Sequence, residues 1–139
     1  MTHLQRWVGT MLDNLDNNVD KNTRIKILEN CGRSCIPSSF IKKARAYKVK
    51  SANNDEFLDR LGKIWKHLQY NGKKVYVNYD KCYCPMMKSY KGKLSKSFCN
   101  CSRGWIKELF ESALDKPVEV ALLKSIMQGD KSCRFEVKI

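Results

Sequence analysis

The spacing of apolar residues changes from helical to alternating at Asn71-Gly72, and that switch limits what this chain can fold into. Before it, Leu4, Trp7, Val8, Met11, Leu12 and Leu15 recur at i, i+3, i+4. A helix with one apolar stripe is expected there, ending where Asp16-Asn17-Asn18 supplies turn formers. A second helix is expected from about Asp20, with Ile25, Leu28 and Cys31 inward and its end at Gly32, where a left-handed cap is readily adopted. Pro37 opens a short third helix through Ala44 and Tyr47. Asn54 or Asp55 caps a fourth, whose Phe57, Leu58, Leu61, Ile64, Trp65 and Leu68 form a broad core-facing stripe.

Beyond the switch, Val75, Val77 and Tyr79 alternate with Tyr76 and Asn78, which predicts a strand running into Cys82-Tyr83-Cys84-Pro85, with Pro85 ending its pairing. Residues 88–96 read as an exposed hairpin-like connection to a second extended piece at 98–101. Ser102 is the expected cap of a helix carrying Trp105, Ile106, Leu109, Phe110 and Ala113 inward to about Leu114, and Pro117 prevents its continuation. Residues 118–123 and 133–139 read as two strands joined around Gly129-Asp130. This order predicts an α+β fold, with N-terminal helices packed on a mainly antiparallel sheet and a C-terminal helix and β-hairpin. With 139 residues and no repeat or linker, one domain over 1–139 is expected.

Seven cysteines are distributed over this framework, four of them in two Cys-x-Cys pairs, Cys82/Cys84 and Cys99/Cys101. On a strand, residues two apart share a face, so each pair would present two thiols together and the four would form a tetrathiolate site. The expected occupant is zinc, at about 2.3 Å per sulfur, or an iron-sulfur cluster in the same ligand set. Cys31 and Cys35 lie four apart, sharing a helix face; they can complete that site, form a second one, or act as a redox pair. The two histidines, His3 and His67, have no acidic neighbour in sequence that suggests a triad, and a surface or structural role is expected for both. Neither a serine elbow, a phosphate-binding glycine loop, paired catalytic carboxylates nor a dinucleotide fingerprint is present.

A formal net charge of +13 produces a field that attracts anions, and Lys88, Lys91, Lys93 and Lys96 with Tyr90 are the densest candidates for an anionic ligand or a nucleic-acid backbone. The start of the chain lacks the apolar run of a secretory signal, and no stretch approaches the length of a membrane span. A cytoplasmic protein is therefore expected, and reducing cytoplasm favours metal binding, redox chemistry or burial over structural disulfides.

The run Gly104-Trp105, Leu109-Phe110, Val118-Glu119-Val120 and Gly129-Asp130-Lys131-Ser132-Cys133-Arg134-Phe135-Glu136-Val137 resembles the C-terminal part of the 4-vinyl reductase-like domain family, and the Cys82-Tyr83-Cys84-Pro85 and Cys99-Asn100-Cys101 pairs resemble its cysteine-rich bacterial subgroup. The resemblance implies an α/β sensor or carrier domain with a pocket for a small hydrophobic molecule and cysteines able to hold zinc. Such domains often carry another cysteine shortly before the Gly-Asp turn; here residues 124–128 contain none, which leaves Cys133 to hairpin packing. The leading expectation is a small-molecule-binding or sensory domain with a cysteine-ligated metal, its ligand small and hydrophobic or anionic. Two alternatives remain: a thiol-dependent enzyme acting on a small substrate, and a basic zinc-organised nucleic-acid-binding module.

Overall fold

The computed structural model describes residues 1–87 and 89–139; Lys88, counted above with the basic loop, lies outside the described residues. Helices α1 (His3–Asn18), α2 (Lys21–Cys35), α3 (Ser38–Lys50) and α4 (Asn54–Ile64) precede strands β1 (Leu68–Tyr70) and β2 (Val75–Tyr79). A long irregular segment then leads through a 3-10 turn at Lys96–Phe98 into α5 (Cys99–Leu114), followed by β3 (Glu119–Lys124), a second 3-10 turn at Ile126–Gln128, and β4 (Cys133–Lys138). The four strands pair antiparallel in the order β1-β2-β4-β3. The expected α+β layout, with its C-terminal helix and hairpin, is what forms.

The main core lies where α3, α4 and α5 cover the sheet. Phe57, Leu61, Val77, Ile106, Leu109, Phe110 and Phe135 are fully enclosed there. Burying each large side chain is worth about 1.5–3 kcal/mol relative to exposure, so this cluster holds the helices on the sheet. Phe40, Trp65 and Trp105 meet at its rim with ring centroids 5.5–6.0 Å apart. A second cluster joins Val8, Leu12 and Leu28 to Met87, Leu94 and Phe98, so α1 and α2 clamp the irregular segment that carries Cys82 and Cys84. Buried Gln5 fastens the same clamp, donating from Nε2 to the Met86 carbonyl at 3.1 Å and the Ser89 hydroxyl at 3.0 Å.

Several local expectations change, each for a tertiary reason. Helix α1 continues through Asp16 to Asn18, because the Asp16 carboxylate accepts from the Ser95 and Ser97 hydroxyls and pairs with Arg24 at 3.3 Å. Only Val8 and Leu12 of its long stripe are buried with Gln5 and Gly9; Leu4, Trp7 and Met11 remain exposed. Gly32 does not end α2 but lies within it, and Cys31 is exposed instead of inward. Leu68 belongs to β1, since α4 stops at Ile64. The largest correction concerns residues 98–101: they are not extended, because Cys99 begins α5, three residues before the expected cap at Ser102. Among the described residues, no helix is long and apolar enough to cross a membrane.

Candidate thiol centre

Once Cys99 and Cys101 are helical, their two-residue spacing acquires the opposite meaning. Successive helical residues turn by about 100°, so the two thiols leave α5 in nearly opposite directions. Cys99 faces the β3–β4 end of the sheet and Cys101 faces α2. The expected grouping of Cys82, Cys84, Cys99 and Cys101 required both pairs to be extended. Among the described residues, no three cysteine, histidine, aspartate or glutamate side chains stand close enough together to hold a metal ion.

The Cys101 side is built by two glycines. A Cβ on Gly32 would stand 1.7 Å from the Cys101 carbonyl oxygen, and one on Gly104 would stand 1.9 Å from that of Glu29. Both distances are prohibitive, so the absence of side chains is what lets α2 and α5 touch backbone to backbone. Charged pairs flank the crossing, Arg33 with Glu111 at 2.9 Å and Lys107 with Glu29 at 3.0 Å. Cys31 precedes Gly32, and Cys35 follows about one turn later, so the crossing brings both near Cys101 while leaving them exposed. Burial pushes the Cys101 thiol up to about 12, reinforced by the neighbouring sulfurs of Cys35, Cys84 and Cys31. Thiols of α2 and of the irregular segment thus lie near a half-buried sulfur on α5. Cys31 and Cys35 are exposed and Cys84 is half-buried.

The Cys99 side is smaller and more enclosed. Cys99 Sγ lies 2.9 Å from Ser125 Oγ and 3.8 Å from Cys133 Sγ. Cys133 Sγ in turn accepts from the Ile126 N–H at 3.4 Å. Ser125 is itself fixed by Asp130, whose carboxylate accepts the Ser125 N–H at 2.8 Å, while Gly129 supplies the φ of +103° that the turn requires. Hydrogen bonding from Cys133 holds the Cys99 thiol down to about 6, against the opposing effect of burial, with Ser125 and the Met127 backbone contributing further. The first turn of a helix favours the same thiolate. Cys133 moves the other way, raised by sharing its proton with Cys99 and by burial. Cys82 is close enough to feel both Cys84 and Cys99, although burial is the larger influence raising its thiol.

The Cys99/Cys101 pair is therefore divided: Cys99 meets Ser125 and Cys133, whereas Cys101 stands at the crossing with α2. The sequence reading missed Ser125, which is 1% exposed, and treated Cys133 as packing alone. The Gly-Asp turn was the available signal, since it is Asp130 that positions Ser125. A glycine inside each of two helical patterns was the signal for the crossing.

Other candidates are placed more plainly. His67 packs at a tilt against both Tyr79 and Tyr83, each ring centroid 4.6 Å away, consistent with a structural role. Lys91, Lys93 and Lys96 are exposed, but the Tyr90 ring packs into the α1 cluster, its hydroxyl so close that a Cβ on Gly9 would lie 2.4 Å away. Tyr90 is therefore not a free platform for base stacking. A shallow hollow of about 560 Å³ runs along α1 between Arg6, Trp7, Thr10, Met11 and Asn14, and another of about 190 Å³ lies between α2 and the turn before α5. Neither is lined by a cysteine.

The model of one protein family, a family of unknown function designated DUF6144, matches residues 2–139. The chain belongs to that family. No curated protein and no solved structure gives a match. Membership therefore spans both thiol groups and the whole helix-and-sheet framework that positions them.

Proposed function

We propose that this chain is a cytoplasmic metal-binding domain in which Cys31, Cys35, Cys84 and Cys101 hold a zinc ion or an iron-sulfur cluster. The observation that supports this reading is the backbone contact of α2 with α5 at Gly32 and Gly104, which sets Cys31 and Cys35 of one helix beside Cys101 of the other, with Cys84 near enough to raise the Cys101 thiol. Four sulfurs brought together repel one another when ionised, and a bound cation relieves that repulsion by taking the thiolates as ligands. Binding draws the exposed Cys31 and Cys35 thiols and the loop-borne Cys84 inward onto Cys101. This ligand set replaces half of the one expected from spacing, because helical geometry turns Cys99 away.

The resemblance of residues 104–137 to 4-vinyl reductase-like domains supports a small-molecule-binding or sensory role built around this centre, for a hydrophobic or anionic ligand. A cytoplasmic setting agrees with seven free thiols, since reducing conditions preserve them for ligation. The test is elemental analysis with thiol titration of anaerobically purified protein. Near-stoichiometric zinc or iron is expected, with protected thiols, falling to near zero in Cys101→Ser and Cys35→Ser and persisting in Cys133→Ser. Metal-free protein with freely titrating cysteines would sink the reading.

A further inference from the structure

The enclosed thiols on the opposite side of α5 carry a separate inference. We propose that Cys99 and Cys133 are a peroxide-oxidisable dithiol that closes to a disulfide and reopens on reduction. Their sulfurs stand 3.8 Å apart in the reduced chain, a non-bonded contact that must shorten to about 2.05 Å when the bond forms. One short segment grips both: Ser125 Oγ lies against Cys99, and the Ile126 N–H donates to Cys133. Cys99 opens α5 and Cys133 opens β4, so both backbones are anchored in regular structure and little search precedes closure. Cys99 is 5% exposed and Cys133 half-buried, which leaves the pair within reach of a small oxidant.

The chemistry balances with hydrogen peroxide as the oxidant. A sulfur of the pair attacks one peroxide oxygen, the O–O bond breaks, and a sulfenic acid forms with loss of one water. The partner sulfur then attacks the sulfenic sulfur, the S–O bond breaks, and a second water leaves. Two thiols and one peroxide become one disulfide and two waters. A dithiol reductant reverses the bond by exchange through a mixed disulfide.

This inference does not depend on the metal-binding proposal, and its test uses no metal readout. The full chain, purified anaerobically, is treated with stoichiometric hydrogen peroxide and its peptides are mapped by mass spectrometry with and without reductant. The expected result is a linked pair of peptides containing Cys99 and Cys133, lighter by two hydrogens and separated by dithiothreitol. The same link should form in the Cys31→Ser/Cys35→Ser double variant. In Cys133→Ser, Cys99 should instead accumulate as a sulfenic acid trapped by dimedone; if that variant does not fold, the wild-type map decides alone. Oxidation that leaves Cys99 and Cys133 unlinked overturns the proposal, whether the oxidised thiols pair elsewhere or proceed to sulfinic acids.

Discussion

The two sides of the first turn of α5 carry the same residue type two positions apart in unlike surroundings. Cys101 meets α2 at a crossing where backbones touch, its neighbours being exposed or loop-borne thiols drawn from distant segments. Cys99 meets a tight turn, with a hydroxyl and a single sulfur in direct contact. One arrangement brings several like groups near a single sulfur; the other satisfies a single thiolate with hydrogen-bond donors. Motif spacing alone says nothing of this difference, because what two residues share depends on whether the backbone between them is helical or extended.

The strongest way to break the comparison is to abolish the crossing. Gly104→Leu places a branched side chain where a Cβ would already stand 1.9 Å from the Glu29 carbonyl oxygen. Overpacking against backbone is expected to cost about 3 kcal/mol or more. Urea denaturation should show that loss, and thiols on the α2 side should alkylate faster while Cys99 changes less. Uniform acceleration of all seven would mean that the crossing supports both sides equally.

A smaller effect is expected from Ser125→Ala, which removes the hydroxyl next to Cys99. A lost hydrogen bond of this kind is worth about 0.5–1.5 kcal/mol, more if the partner is charged. Stability should fall by that order, and the pH profile of Cys99 alkylation should move to higher pH without a matching change at Cys101. An unchanged profile would remove the hydroxyl from the account of the Cys99 thiolate.

The subtlest test uses pH on metal-free protein, because the two thiols contribute with opposite sign. The ordinary thiol value is 9.0 and Cys99 is held down to about 6, so its contribution is present above pH 9 and is lost as pH falls through about 6. Cys101 is pushed up to about 12, so its contribution is present below pH 9 and is lost as pH rises toward about 12. Denaturation midpoints followed against pH in Cys99→Ser and Cys101→Ser should flatten opposite limbs of the wild-type curve. If both variants flatten the same limb, the two environments are not as distinct as the geometry makes them.

Much of the framework was legible from pattern. The stripes of α4 and α5 and the alternation of Val75, Val77 and Tyr79 located elements whose inward faces are the main core. The hairpin of β3 and β4 followed from the turn at Gly129-Asp130. The start of α5 was not legible, because its apolar stripe begins only at Trp105 and Ser102 offers a plausible cap. The actual start is set upstream, where Ser95 caps the 3-10 turn at the Ser97 N–H, Asp16 holds Ser95 and Ser97, and Phe98 enters the α1–α2 cluster. Gly32 was likewise ambiguous, since a glycine near a helix end can be a cap or a contact, and only the position of α5 distinguishes the two.

By itself the sequence determined the kinds of element, their order and the supply of thiols, because hydrophobic period and residue chemistry are local properties. Only the tertiary structure decided which thiols meet. The second Cys-x-Cys pair became helical through contacts with α1, and the rotation of that helix sent one sulfur to α2 and the other to the hairpin. A motif whose chemistry depends on facing direction cannot be resolved until the backbone between its residues has a conformation, and here partners far away in sequence set that conformation.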